Sequence, residues 1–179
     1  MVLAEHVEES CCLLGLTKSD MEGDIRTIDG CEVACQIFVI GQDRAPRDAE
    51  VWLDGGHNPH GAAAVARAVA DLEERAEKPL YLISGMLANK DSVGFFSAFR
   101  GLARYVITIA IPGEENALGP GALYDRARCA GLEASPGEDV EDAMLQVAAM
   151  ARMDGEDDPP RILICGSLYL AGSILAENG

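Results

Sequence analysis

A chain of 179 residues has room for one sizeable core and little beyond it. With 49% hydrophobic and 25% charged residues it has the composition expected of a globular domain, and no apolar run approaches the roughly 18 residues of a membrane span. Thirty acidic residues against fourteen basic ones leave a net charge of -16, which repels nucleic-acid phosphates and anionic lipid at long range, so neither nucleic acid nor membrane is an expected partner.

Residues 1–49 stand apart from the rest of the chain. The first 20 carry Glu5, Glu8 and Glu9 and no basic start or clean apolar centre, unlike a secretory signal, so the cytoplasm is the expected compartment. A helix fits residues up to about Arg26, "ACQIFVI" fits a strand, and "GQDRAPRDAE" has the composition of a linker. The expected division is 1–49, a remnant of a linker and of the end of a preceding domain, and 50–179, one folded domain.

From Glu50 onward apolar runs alternate with amphipathic segments. "EVWLD", "LYLISGM", "RYVITIAI" and "RILICGS" are short and continuously apolar, as parallel strands covered on both faces are. The spacing predicts helices over residues 60–77, 91–102, 121–130 and 139–153, a weaker strand at "GLEASP", and a closing helix over 168–176. That alternation predicts an α/β fold: a Rossmann-like, doubly wound, mostly parallel sheet with helices on both faces and right-handed crossovers. "DGEDDPP" before the last strand reads as a solvated acidic loop.

None of the six cysteines, Cys11, Cys12, Cys31, Cys35, Cys129 and Cys165, forms a C-x-x-C pair. A zinc site would have to join Cys31 and Cys35 to His57 and His60, whose "HNPH" spacing is no standard ligand pattern, so no metal site is expected. Cys129 and Cys165 read as small apolar fillers.

"VWLDGGHNPHG", Val51 to Gly61, concentrates the chemistry. Val51, Trp52 and Leu53 end a strand, which sets Asp54 at the carboxyl edge, where open α/β sheets bind ligands. Gly55 and Gly56 suit a tight turn with unusual backbone angles and close approach by a ligand. Asn58 is a good N-cap and Pro59 a good first helical residue, with Val65, Val69 and Leu72 on the helix's buried face. His57 is then held in the turn near the positive helix end. Taken singly, Asp54 and Asn58 also fit plain capping roles and His57 a loop histidine.

Two further turns invite false readings. In "GMLANKDS", Lys90 follows Gly85 by five residues, but Asn89 stands where a Walker loop has its second glycine and Asp91 follows the lysine. The segment reads as a strand-to-helix turn capped by Asp91 or Ser92. "CGSLYLAG" lacks the G-x-S-x-G order of a nucleophile elbow. Its Gly166-Ser167 pair instead offers a hydroxyl and amides at a helix start, for a carboxylate or phosphate or simply as a cap.

"LDGGHNPHG", "LISGMLANKD" and "ILICGSLYLAGSIL" resemble, in order, the "DGAHNP", "GMLxDKD" and "GSLYLVG" segments of the C-terminal domain of folylpolyglutamate synthase/dihydrofolate synthase, in the Mur ligase superfamily. "IPGEENAL", from Ile111, adds a weaker likeness. The resemblance implies an ATP-dependent ligase that phosphorylates a dihydropteroate or folate carboxylate and lets the amine of L-glutamate attack the acyl phosphate. It implies that Asp54 touches nucleotide or orients His57, that His57 acts at the phosphate end, and that Asn58 fixes the nucleotide-side turn. Lys90 and Ser167 fall on the substrate side, Ser167 toward glutamate. The family's phosphate loop ("GTNGKGS"), magnesium ligands and most of its folate site lie in an N-terminal domain that these residues do not include, so the chain by itself is expected to be inactive, with a separate N-terminal domain as a possible partner. The arginine linker before the C-terminal domain has no match; Arg44 and Arg47 are the nearby substitutes. A ligase for another Mur-type substrate and a non-catalytic binding module are the competing readings.

Overall fold

Apolar runs of four to six residues, bounded by turn residues and covered on both sides, form strands because every side chain finds a dry surface whichever way it points. The computed structural model describes residues 49–153 and 159–178. It contains strands β1 (Glu50–Leu53), β2 (Leu80–Ser84), β3 (Ala103–Thr108), β4 (Ala134–Pro136) and β5 (Arg161–Cys165). Between and after them run helices α1 (Pro59–Arg75), α2 (Ser92–Ser97), α3 (Pro120–Cys129), α4 (Val140–Met153) and α5 (Leu168–Asn178). The expected helix before Arg26, strand at "ACQIFVI", most of the linker, and Cys11, Cys12, Cys31, Cys35, Arg44 and Arg47 lie outside the described residues, as does most of the acidic loop.

The strands form one sheet in the order β1-β5-β2-β3-β4 with every pairing parallel. The doubly wound, parallel sheet read from the sequence is therefore present. Helices α1, α2 and α3 cover one face, packing Val65, Val69, Phe95, Phe99 and Leu123 against Leu80, Leu82, Val106 and Leu163. Helices α4 and α5 cover the other, packing Met144, Val147, Leu170 and Ile174 against Tyr81, Ile83, Ile107 and Ile164. The alternation of Leu80 and Leu82 with Tyr81 and Ile83 follows from the two-residue period of a strand. Each such buried side chain contributes about 1.5–3 kcal/mol relative to exposure.

The chain skips a place between β1 and β2, steps outward to β4, and returns over the opposite face to insert β5 between them. At the carboxyl edge the connection after β5 leaves toward one face, whereas those after its neighbours β1 and β2 leave toward the other. Such a reversal opens a crevice above the strand ends.

Two expectations change in detail. The helix read over 91–102 ends at Ser97 and continues as tight turns, because Phe99, Arg100 and Leu102 donate to carbonyls three residues back and Gly101 takes a φ of 76°. Cys129 is exposed rather than a core filler: α3 buries Leu123 and Ala127, and the next inward position is Ala130, which turns residue 129 outward. Leu72 is half-buried where Val65 and Val69 are buried.

The amino edge is locked by charge. Arg161, buried at the start of β5, donates through Nε to Glu50 at 3.0 Å, through Nη1 to Glu73 at 3.1 Å and through Nη2 to the Ala76 carbonyl at 3.4 Å. Lys78 adds a 2.7 Å bond to Glu50. Burial pushes the Glu50 pKa up, but the bonds from Lys78 and Arg161 more than offset it and hold the carboxyl below its ordinary value.

Candidate functional site

Asp54 follows β1, and its amide donates to the Ile164 carbonyl of β5 at 2.9 Å, so the residue is fixed by the sheet before its side chain does anything. Its Oδ1 accepts the Gly56 amide at 2.6 Å. The residue keeps some surface open, yet its carboxyl is desolvated, and that burial raises its pKa; the Gly56 bond and the charge of His57 act the other way without cancelling it. The carboxyl thus stands, with one oxygen tied, at the switch of a parallel sheet, the edge where open α/β sheets take ligands.

The two glycines serve packing. Neither has a positive φ. A Cβ on Gly55 would come within 2.3 Å of Leu168 Cδ2, and one on Gly56 within 2.5 Å of Asp54 Oδ1. The unusual backbone angles expected of them are absent; glycine is needed because α5 seats Leu168 on one and the Asp54 carboxyl curls over the other. The Gly56 carbonyl also accepts the Gly166 amide at 3.0 Å, tying the turn after β1 to the turn after β5.

His57 Nδ1 lies 3.1 Å from the Gly55 carbonyl. A carbonyl only accepts, so Nδ1 carries the proton and donates, which leaves Nε2 as an acceptor on the neutral ring and a donor on the imidazolium. Asn58 caps α1 as expected, its Oδ1 accepting the Gly61 amide at 2.8 Å, with Pro59 in the first turn.

The turn of Lys90 lies alongside. Asp91 caps α2 by accepting the Gly94 amide at 2.9 Å, and a Cβ on Gly94 would stand 2.8 Å from Pro59 Cγ, so α1 and α2 start in contact. Lys90 is half-buried on this turn. Above it the chain after β3 crosses back: Leu87 bridges Ala117, Ala88 donates to the Asn116 carbonyl at 2.8 Å, and Leu118 donates to that of Met86 at 2.8 Å. The segment around "IPGEENAL" thus braces the Lys90 turn.

Ser167 is buried at the start of α5, and its Oγ accepts the Tyr169 amide at 3.1 Å. The capping role allowed for it is realised, while the hydroxyl proton stays available as a donor. Gly166 before it has a φ of 103°, and a Cβ there would meet Ser84 Oγ at 2.6 Å. Sequence reasoning passed over Ser84, whose hydroxyl is buried without a hydrogen-bond partner; a lone polar residue in "LYLIS" was the available signal. It also passed over Arg161, read only as the edge of an apolar run.

The structure therefore gathers Asp54, His57, Asn58, Lys90 and Ser167 on the turns of one sheet edge. Among the described residues no three His, Cys, Asp or Glu side chains gather to hold a metal ion, and no helix is long and apolar enough to cross a membrane.

Residues 38–168 match the family model described as Mur ligase, glutamate ligase domain. A folylpolyglutamate synthase of Lacticaseibacillus casei is 31% identical over 124 residues, covering 69% of this chain and 26% of that protein. Among solved structures, Mycobacterium tuberculosis folylpolyglutamate synthase complexed with ADP is similar with a TM-score of 0.59 and 27% identity, over 72% of this chain and 30% of that one. E. coli FolC in complex with DHPP and ADP shares the fold, with a TM-score of 0.56 at 18% identity, over 83% of this chain and 33% of that one. The chain thus spans about a quarter of the curated relative it matches.

Proposed function

Because the chain belongs to the family of Mur ligase glutamate ligase domains, we propose that it is the C-terminal portion of an ATP-dependent ligase that adds L-glutamate to dihydropteroate or folates. The observation that carries this reading is the placement of Asp54, His57 and Ser167 on two turns of the carboxyl edge tied by the Gly166–Gly56 hydrogen bond, in a chain similar to a folylpolyglutamate synthase over 124 residues. ATP phosphorylates the folate carboxylate to an acyl phosphate, releasing ADP. The glutamate amine then attacks the acyl carbon, and phosphate and a proton leave as the amide forms.

The roles proposed for this chain's residues come from the family resemblance, and the geometry is compatible with them. Asp54, with Oδ1 held by Gly56, presents its other oxygen to nucleotide hydroxyls or polarises His57. His57 Nε2 meets a phosphate oxygen as a donor, which requires the imidazolium because Nδ1 is engaged by Gly55. Asn58 keeps the turn and the α1 terminus in place, Lys90 adds a cation to the crevice against the chain's acidic field, and the Ser167 hydroxyl donates to a glutamate carboxylate. The described residues do not fit a magnesium site, so no step is assigned to a metal here. The phosphate loop and magnesium ligands belong, on this reading, to an N-terminal domain that closes over the crevice and keeps water from the acyl phosphate. The cytoplasm is the proposed compartment, and residues 50–179 the proposed domain.

The test is a ligation assay dependent on ATP and glutamate, run with the 179-residue chain alone and mixed with a separately produced phosphate-loop domain. Product from the mixture and none from the chain alone is the expected result, because positioning of the phosphates supplies most of phosphoryl-transfer catalysis. Ligation by the chain alone, or none from a mixture that binds ATP and folate, overturns the reading.

A further inference from the structure

Leu168, the first residue of α5, is a half-buried side chain to which the ligase reading gives no part. It lies on Gly55. A Cβ on that glycine would stand 2.3 Å from Leu168 Cδ2, 3.2 Å from its Cγ and 3.8 Å from its Cα, its three nearest neighbours. The isobutyl group therefore fills the side of Gly55 where a side chain would otherwise be. Gly55 has no positive φ, so its backbone admits an alanine and the obstacle is the Leu168 side chain.

Gly55 in turn holds His57. Its carbonyl accepts the Nδ1–H of the ring at 3.1 Å, which fixes the orientation of the ring and its neutral tautomer. The residues on either side are tied to the strand and turn of β5: the Asp54 amide donates to the Ile164 carbonyl at 2.9 Å, and the Gly56 carbonyl accepts the Gly166 amide at 3.0 Å. Between those ties the side chain packed on Gly55 is that of Leu168. Leu168 also follows Ser167, whose Oγ accepts the Tyr169 amide at 3.1 Å and so caps the first turn of α5. One contact thus joins the hydroxyl proposed to meet glutamate to the ring proposed to meet phosphate.

We propose that Leu168 is a positioning residue: by packing on Gly55 it sets the carbonyl that orients His57, and it links the Ser167 turn to the His57 turn. A displacement of the first turn of α5, such as a carboxylate drawing on Ser167, carries Leu168 with it and changes the angle at which the Gly55 carbonyl meets Nδ1. Hydrogen bonds weaken as donor and acceptor move out of line, so a small shift weighs on the choice of tautomer. The value of this link to catalysis rests on the ligase reading; the effect of Leu168 on the His57 ring does not.

The test is nitrogen NMR of the imidazole rings in the unliganded 179-residue chain, at a pH where His57 is neutral, with its signals assigned by His57→Gln. The parent should show Nδ1 protonated and Nε2 bare. In Leu168→Ala the ratio of that tautomer to the other should fall by about twofold to tenfold, the value of one neutral hydrogen bond. Leu168→Met, close in volume, should keep the parent spectrum. Gly55→Ala should disturb the ring, and adding Leu168→Ala to it should return the signals toward the parent. Ser167→Ala should shift them in the same direction as Leu168→Ala and add nothing once Leu168 is replaced by alanine. A contact that is only structural would lower the melting temperature of Leu168→Ala and leave the nitrogen shifts unmoved. That result, or Ser167 and Leu168 effects that simply add, overturns the proposal. If Leu168→Ala does not fold, Leu168→Val, one carbon shorter, must show a smaller change of the same sign, and an unmoved ring there overturns it equally. No readout involves turnover, so failure of the ligation assay and failure of this link are separate results.

Discussion

At the amino end of the sheet Arg161 is buried and each of its three guanidinium nitrogens meets an oxygen; at the carboxyl end Asp54 is desolvated and one of its oxygens meets an amide. The same strands carry both, a few residues apart. Glu50 opens β1 with its pKa held down by Lys78 and Arg161, and Asp54 follows the end of that strand with its pKa pushed up by burial. Paired charge keeps the buried guanidinium compatible with the folded state, whereas a desolvated carboxyl without a cationic hydrogen-bond partner costs stability. The contrast supports the proposal that the carboxyl end is the ligand-binding end, and it does so without drawing on any likeness to other proteins.

Removing Arg161 should produce the largest effect on folding. Arg161→Ala strips the partner from Glu50 and Glu73 and empties a buried volume, and we expect a loss of about 3 kcal/mol, because both carboxylates keep about a third of their surface in water. Denaturant unfolding measures it; a loss below 1 kcal/mol would erase the distinction between the two ends. At the other end the expectation reverses. His57→Ala, in a ligase completed with a phosphate-loop domain, should cut turnover by about a hundredfold while the melting temperature stays within a few degrees. Equal turnover, or a loss that tracks unfolding, would break the comparison.

Ser167→Ala is expected to weaken apparent glutamate affinity by roughly tenfold to a hundredfold, the value of a hydrogen bond to a charged group, with little change in that for ATP. If glutamate dependence is untouched, Ser167 is a cap at the start of α5 and nothing more. The smallest and most diagnostic effects concern pH. Asp54 has a raised folded-state pKa, so folding carries a penalty above that pKa that disappears below the unfolded value; Asp54→Asn keeps the acceptor for Gly56 and should therefore raise the melting temperature at pH 7 and leave it unchanged in acid. Glu50 has a lowered one, so its contribution is complete above the unfolded pKa and is lost as pH falls through the folded value. Glu50→Gln should lower the melting temperature at pH 7 and converge with the parent chain in acid. Thermal scans of the two variants from neutral to acid pH should thus converge on the parent chain from opposite sides, and curves parallel to the parent would contradict the assignment.

What the sequence by itself determined is whatever depends on neighbours along the chain. Four of the five strands were legible because a buried parallel strand is a short unbroken apolar run, β4 more faintly as the weak strand at "GLEASP", and the caps of α1 and α2 because Asn58 and Asp91 act within three residues of themselves. Asp54 was placed at the carboxyl edge of the sheet for the same local reason: it ends such a run before two glycines. The tertiary structure alone decided what depends on residues far apart. Gly55 requires Leu168 to be a glycine position at all, the fate of Arg161 depends on Glu50 and Glu73, and the Gly166–Gly56 bond that ties the turns after β5 and β1 exists only once the return over α4 inserts β5 between β1 and β2. Strand order is not written in local pattern, because any parallel order satisfies the same apolar runs; the packing of helices on two faces selects one, and with it which polar groups share the site.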